Sequence, residues 1–299
     1  MNAIEGLLGA ATGDGSLAHS ASLGLIDFAG LFPPAALDMH SAVRQYLEYS
    51  HSAYRRALGR FIINLEQFPY LWDAAGDYVR GLPLSVIVAP ESDWDDLRRL
   101  LDKGYSIEAV EIKQTVSAAE VKRLAPLVPA GVMAYFETPV YGTTAQMLSA
   151  VEAAGARVKL RLGGTSADAF PKPQGIAQML AELANRRMIF KATAGLHHAV
   201  RGRYPLTYAP ESPTEVMHGF INLACAAAVL YFGGETQEAV EVLEEEWPGA
   251  WQVTPEAVAW RQNSWNADEL GEVRKEFFAG FGSCSFEEPV RELEALKWL

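Results

Sequence analysis

Met188-Ile-Phe-Lys-Ala-Thr-Ala-Gly-Leu-His-His198 is a short apolar run that gives way to a lysine, a threonine, a glycine and two histidines. Met188, Ile189 and Phe190 read as a buried strand, and Gly195 permits a tight exit turn. The polar groups therefore gather at one mouth of a sheet, where a strand hands over to a loop.

Working outward, apolar runs rich in Val, Ile and Phe recur near 23–29, 59–65, 84–89, 107–113, 131–137, 157–162, 188–194 and 278–283. Segments of helical periodicity lie between them, and most open on a start signal. Asp38 caps 39–57, Ser92 or Asp93 caps 94–103, and Ser117 with Glu120 forms a capping box before 118–125. Thr143 with Gln146 does the same before 144–154, and Pro173 opens a helix to about Asn185. Eight strands with intervening helices predict an α/β fold, a (β/α)8 barrel, which takes ~250 residues.

The spacing breaks once, between strands seven and eight. Residues 196–277 carry an apolar helix (217–232), an acidic helix (235–246) and a Trp-rich stretch (248–265). So long a connection reads as a helical insertion over the barrel mouth, either a lid or a plug or contact between copies. Gly13, Asp14, Gly15 and Ser16 break periodicity near the N-terminus, so 1–20 reads as loosely packed.

With 299 residues, 49% hydrophobic and 21% charged, the chain fits one barrel domain over 1–299. A net charge of −12 disfavours a phosphate backbone, and no basic run interleaves with aromatics, so nucleic acid is not an expected partner. Cys225 and Cys284 are too few for a disulfide framework and suit a reducing compartment. The apolar N-terminus lacks a basic leader and is interrupted by Glu5, and 218–232 falls short of the ~20 residues a bilayer needs. A cytoplasmic protein without a membrane span is expected.

Polar residues inside apolar strands are the ones to collect. On a period of two, Glu111 and Lys113 share a face, as do Lys159 with Arg161 and Lys191 with Thr193; Glu137 ends the fifth strand and Asp27 the first. Buried Lys–Glu pairs serve as packing devices in some barrels, but two acids, three lysines and an arginine on adjacent strands point to a site. Lys159, Lys191, Glu137, His197 and His218 are its catalytic candidates. Asp27, Glu111, Lys113, Arg161, Thr193, His198, Asn222, Gly163, Gly164 and Ser283 are candidates for binding a substrate. Asn222 follows His218 by four residues, and the turns at Gly163–Gly164 and Gly280–Ser285 suit an anion, the second at a helix N-terminus. Arg201, Arg203 and Lys172 in nearby loops either add countercharge or are solvated.

Three stretches, Asp27-Phe-Ala-Gly-Leu-Phe-Pro-Pro-Ala35, Phe190-Lys-Ala-Thr-Ala-Gly-Leu-His-His198 and Gly280-Phe-Gly-Ser-Cys-Ser-Phe286, resemble an uncharacterised group of bacterial barrel-like proteins. A few strand ends also resemble class I aldolases of the deoxyribose-phosphate type. In those, a Schiff-base lysine on strand six is followed by a lysine on strand seven, in a Lys-Ala-Ser/Thr-Gly-Gly context. That resemblance implies Lys159 as the Schiff-base lysine and Lys191 as the neighbour that lowers its pKa. The chain departs from the pattern at Ala194, which stands where the first glycine would be, and at Arg161 and the histidine pair, which have no counterpart.

The resulting expectation is a barrel lyase, aldolase or isomerase for a small oxygenated, anionic metabolite, working through a lysine imine without a cofactor. Glu137 or Glu111 moves the proton, with one of the histidines as partner. A second reading has a divalent metal held by some of Asp27, Glu111, Glu137, His197 and His218. A third is a non-catalytic binding or scaffold protein, with Trp247, Trp251, Trp260 and Trp265 forming a partner surface.

Overall fold

The structure is a computed structural model that describes residues 3–9, 24–115 and 117–299. After α1 (Ala3–Leu8), strands and helices alternate: β1 (Ile26–Phe28), α2 (Met39–Ser50), β2 (Leu58–Asn64), α3 (Phe68–Ala75), β3 (Leu84–Val88), α4 (Trp94–Asp102), β4 (Ile107–Ile112), α5 (Ala118–Leu124), β5 (Met133–Thr138), α6 (Ala145–Ala153), β6 (Arg157–Arg161), α7 (Pro173–Asn185) and β7 (Phe190–Thr193). An insertion follows, with β8 (Gly202–Pro205), β9 (Thr214–Met217), α8 (Phe220–Tyr231), α9 (Thr236–Glu244), β10 (Trp251–Val253), β11 (Ala257–Trp260), β12 (Asn263–Asn266) and α10 (Ala267–Glu276). The eighth barrel strand, β13 (Phe278–Ser283), then leads into α11 (Glu287–Ala295). The eight strands close as β1-β13-β7-β6-β5-β4-β3-β2, every neighbour parallel. The expected (β/α)8 barrel is what forms.

Parallel barrel strands are covered on both faces, which is why they read as continuous apolar runs. Their outward residues, such as Val86, Val110, Phe136, Val158 and Leu160, pack under the helices. Inward residues are of another kind: Arg60, Ser85, Glu111, Lys159 and Lys191 are all buried inside the barrel wall. The core of this protein lies between sheet and helices, and the barrel lumen is charged.

The predicted caps hold at Asp38, Asp93 and Ser117, whose side chains accept from the amides of Ser41, Asp95 and Glu120. The fourth shifts by one: Thr144 caps α6 by accepting from Met147 N, while Thr143 donates to Pro139 O. The helix expected over 39–57 ends at Ser50, and Arg55–Ala57 is a separate 3-10 turn. Near the N-terminus, 3–8 is not loose. Ile4 and Leu7 are buried, and the guanidinium of Arg274 on α10 donates to Leu7 O at 2.8 Å. Residues 1, 2 and 10–20 of that expected loose segment lie outside the described residues.

In the insertion the two expected helices form, and the Trp-rich stretch becomes a three-stranded antiparallel sheet, β10-β11-β12. Trp251 pairs with Trp260, and both are buried with Trp265; Trp247 is exposed. The tryptophans are therefore mostly core, which removes the clustered aromatic surface on which the scaffold reading rested. Among the described residues no helix is long and apolar enough to cross a membrane.

Candidate active site

Strand register sets the site. Glu137, Lys159 and Lys191 are direct neighbours across β5, β6 and β7, and Glu111 on β4 reaches between the two lysines. Lys159 Nζ lies 2.7 Å from Glu137 Oε2 and 2.8 Å from Glu111 Oε2. Lys191 Nζ lies 2.7 Å from Glu111 Oε1 and 2.5 Å from Asp27 Oδ2. Ser85 Oγ donates to Glu111 Oε1 at 2.6 Å, and Arg60 N donates to Asp27 Oδ1 at 2.6 Å. Three carboxylates thus alternate with two ammonium groups across the lumen. The glycine inside β2 answers this packing, since a Cβ on Gly59 would lie 2.2 Å from Asp27 Oδ1.

Burial opposes the charges on Glu111, Lys159 and Lys191, and their partners outweigh it. Glu111 is held far below the carboxylate range by Lys159 and Lys191. Lys159 is raised by Glu111 and Glu137, and Lys191 by Asp27 and Glu111. Lys159 is thus raised, where the aldolase resemblance implied a lysine lowered by Lys191: a carboxylate stands between the two cations.

A cavity of about 740 Å³ opens above this chain of charges. Glu111, Glu137 and Lys159 border its floor, while Lys191 and Asp27 do not line it. Lys113, Arg161, Gly164 and Thr193 line it as well, with Lys113 Nζ donating to Asn64 Oδ1 at 3.0 Å. Gly163 instead packs on Phe170 and the Gly195 backbone. Ala194 adopts φ +63, the left-handed conformation that the glycine of the aldolase pattern would supply. Pro205 to Pro210, in the turn between β8 and β9, borders the same cavity.

The histidines divide. His197 and His198 both line the cavity. His197 Nδ1 lies 3.1 Å from Glu288 Oε2 and 3.4 Å from Ser283 Oγ. His198 Nδ1 lies 2.5 Å from Glu292 Oε1, and its ring stacks on Tyr204. Ser283 is buried and also accepts from Ser285 N, so it braces the β13 turn.

His218 and Asn222 are elsewhere, holding the insertion together. His218 Nε2 lies 2.8 Å from Pro171 O, and Asn222 bridges Arg201 N to the carbonyls of Val242 and Glu245. The shared helical face expected for them turns inward because both sit at the entry to α8, a helix buried nearly throughout. Arg201 pairs with Glu246 and Arg203 with Glu215, and neither they nor Lys172 borders the cavity. At the start of α11 the expected anion position holds the chain's own acid: Glu288 N donates to Ser285 Oγ, and the Glu288 carboxylate faces His197.

Burial, opposed by the hydrogen bond to the Pro171 carbonyl and joined by the nearby Arg201 cation, pushes His218 down to about 4. Its folded pKa is below the ~6.5 of an unfolded chain, so stability is present above pH ~6.5 and is lost as pH falls toward 4, by about 3 kcal/mol in all. His218→Gln keeps a donor for Pro171 O and removes the titration. Its melting temperature should fall less than that of the wild type between pH 6.5 and 4; parallel curves would show that His218 does not titrate this way.

Among the described residues no three or more His, Cys, Asp or Glu side chains are placed to share a metal ion. Asp27, Glu111 and Glu137 each face a lysine, and His218 faces Pro171, so the five proposed metal ligands do not converge. Cys284, Glu288 and Tyr208 border the cavity without having been singled out from sequence. Cys284 belongs to the small-residue stretch Gly280–Phe286, whereas an acid in the first turn of a helix reads as a dipole partner and a loop tyrosine carries no signal.

No family model matches the chain, and no curated protein matches it. Among solved structures it is similar to FabK from Thermotoga maritima (15% identity, 59% of this chain and 52% of that one, TM-score 0.35). It is likewise similar to a mutant of that FabK (16% identity, 59% and 55%, TM-score 0.36). The chain spans little more than half the length of either, and at that similarity nothing of FabK's chemistry transfers to it. The barrel stands on its own strand pairing.

Proposed function

We propose that the chain is a lyase of the aldolase type, or an isomerase, for a small anionic carbonyl compound, with Lys159 as the amine that meets the carbonyl. The observation that carries this is the position of Lys159: of the two lysines in the lumen it borders the cavity, and it does so between two carboxylates. The cavity has the size of small-molecule sites, roughly 300–1,000 Å³. Lys113 and Arg161 on its wall give an anion countercharge.

Lys159 rests as an ammonium, and a proton must leave before nitrogen can attack. Glu137, 2.7 Å away, accepts it. That transfer turns an ion pair into a neutral pair, which a cavity emptied of water by substrate favours. The amine then adds to the carbonyl carbon, the oxygen departs as water with protons returned by Glu137, and the iminium takes the electron pair of the adjacent C–C or C–H bond. Glu137, again a carboxylate, takes the proton released from that carbon or from the hydroxyl of the departing carbonyl fragment; the enamine is then reprotonated and water releases the product from Lys159. Lys191 and Asp27 hold Glu111, and through it Lys159, in place.

The raised pKa of Lys159 favours a second reading, in which the ammonium donates a proton to the carbonyl oxygen and Glu137 removes the adjacent C–H proton. Borohydride trapping with a panel of small phosphorylated and carboxylated aldehydes and ketones, followed by peptide mapping, separates the two. The expected result is a reduced adduct on Lys159 that is lost in Lys159→Met. Deuterium exchange into a panel compound without an adduct would favour the second reading. Neither adduct nor exchange with any compound would overturn both.

A further inference from the structure

The part of the cavity wall that follows β7 and β13 carries a second set of reactive groups. Cys284 Sγ lies 3.8 Å from Nδ1 and 3.9 Å from Nε2 of His197, and 3.7 Å from the Tyr208 hydroxyl. His197 Nδ1 lies 3.1 Å from Glu288 Oε2, an oxygen that also accepts from Tyr208 at 2.9 Å. Thiol, imidazole and carboxylate follow one another in contact, in the order that a nucleophile, its proton partner and an orienting group require. All three border the cavity, and the lysine chemistry uses none of them.

A thiol is nucleophilic as its thiolate, and a neighbouring imidazolium or a helix N-terminus favours that form. Both are present here. Burial works against a charge on His197, but Cys284 and Glu288 outweigh it and raise the imidazole to about 10. Helix α11 begins three residues beyond the sulfur. The other groups facing this trio are Tyr208, whose phenol is raised by burial and by Cys284 and Glu288, and the His198–Glu292 pair next to it. The sulfur is nearly equidistant from the two ring nitrogens, and such contacts are commonly long before a ligand binds. Both cysteines are buried, but Cys284 borders the cavity whereas Cys225 lies within α8 away from it, its thiol pushed up by burial alone.

We infer that Cys284, with His197 and Glu288, is a second nucleophilic centre of the cavity that adds reversibly to small electrophilic carbonyl compounds. The thiolate forms a bond to the carbonyl carbon, the π pair moves to oxygen, and the His197 imidazolium supplies the proton. The product is a hemithioacetal, so no oxidant or leaving group is needed. This centre shares a ligand class with the Lys159 reading but no residue with it.

Iodoacetamide is the probe, applied to the full chain with mass mapping of the labelled cysteine. At pH 6.5 Cys284 should label about tenfold or more faster than glutathione. Glyoxylate should slow the labelling, and His197→Ala should lower it about tenfold. Lys159→Met should label as the wild type does, even if trapping at Lys159 fails, which keeps the two readings separable. A wild-type rate that matches glutathione would overturn the inference. So would a folded His197→Ala variant that labels at the wild-type rate, indifference to glyoxylate, or a Cys284 that labels only after denaturation. If His197→Ala does not fold, the wild-type rate against glutathione and its response to glyoxylate decide.

Discussion

Lys191→Met should destabilise the protein by about 3–5 kcal/mol at pH 7, the usual cost of removing one partner from a buried ion pair. The ammonium it deletes lies between Asp27 and Glu111, both buried, and the thioether that replaces it answers neither carboxylate. At about 2–4 °C per kcal/mol for a chain approaching this size, the melting temperature should drop by about 6–20 °C. Asp27→Asn in the same background should recover part of the loss, because the amide keeps an oxygen for Arg60 N and one stranded charge is gone.

The pH dependence gives a further check on that loss. In the wild type the folded pKa of Glu111 is depressed, so its contribution is present above its unfolded value of ~4.3 and is lost as pH falls below it. Both lysines are raised, so theirs is present below ~10.4 and is lost as pH rises past it. The deficit of Lys191→Met should therefore be widest between pH ~5 and ~10 and should shrink in acid. Urea unfolding followed by tryptophan fluorescence reads it directly. A deficit below about 1 kcal/mol at pH 7 would mean that the lumen is hydrated enough to screen the chain of charges.

The barrel was legible because two-sided burial writes each strand as an apolar run, and because helix caps mark where each run must have ended. The charged lumen was legible by the same logic: Lys159, Lys191 and Glu111 stand out as polar residues on a period of two. Their partners were not, since Lys191 and Asp27 are 164 residues apart and meet only through the closure of β1 on β13 and β7. Glu111 separates the two lysines for the same reason, a matter of cross-strand register rather than of spacing along the chain. His218 and Asn222 misled because a polar pair at a helix entry looks the same whether it faces a cavity or fastens one element to another. The β10-β11-β12 sheet hid behind its tryptophans, which read as a surface until the strand pairing buries them. Gly59 carried a usable signal, a glycine inside an apolar strand, whose meaning depended on a carboxylate arriving from β1.

Lys159→Met should lose turnover by a factor on the order of 10⁴ or more, the scale on which nucleophile deletions act, while costing less stability than Lys191→Met. The asymmetry follows from the two environments. Removing Lys159 leaves Glu111 with Lys191 and Ser85, and leaves Glu137 at the cavity, where its side chain is 13% exposed and water can reach it. Removing Lys191 leaves Glu111 with Lys159 and Ser85 at the cavity floor, but leaves the buried Asp27, which does not border the cavity, facing the Arg60 amide without an ammonium. Lys159→Arg sharpens the test, because a guanidinium keeps the charge between Glu111 and Glu137 but forms no imine. If Lys159 is the nucleophile, arginine should restore stability and not turnover; if the ammonium only donates a proton, arginine should restore a measurable fraction of both. Full activity in Lys159→Met would remove Lys159 from the chemistry and leave the chain of charges as a way of filling a polar barrel. The pair of measurements, unfolding free energy and turnover on the same three variants, therefore separates what the lumen does for the fold from what it does at the carbonyl.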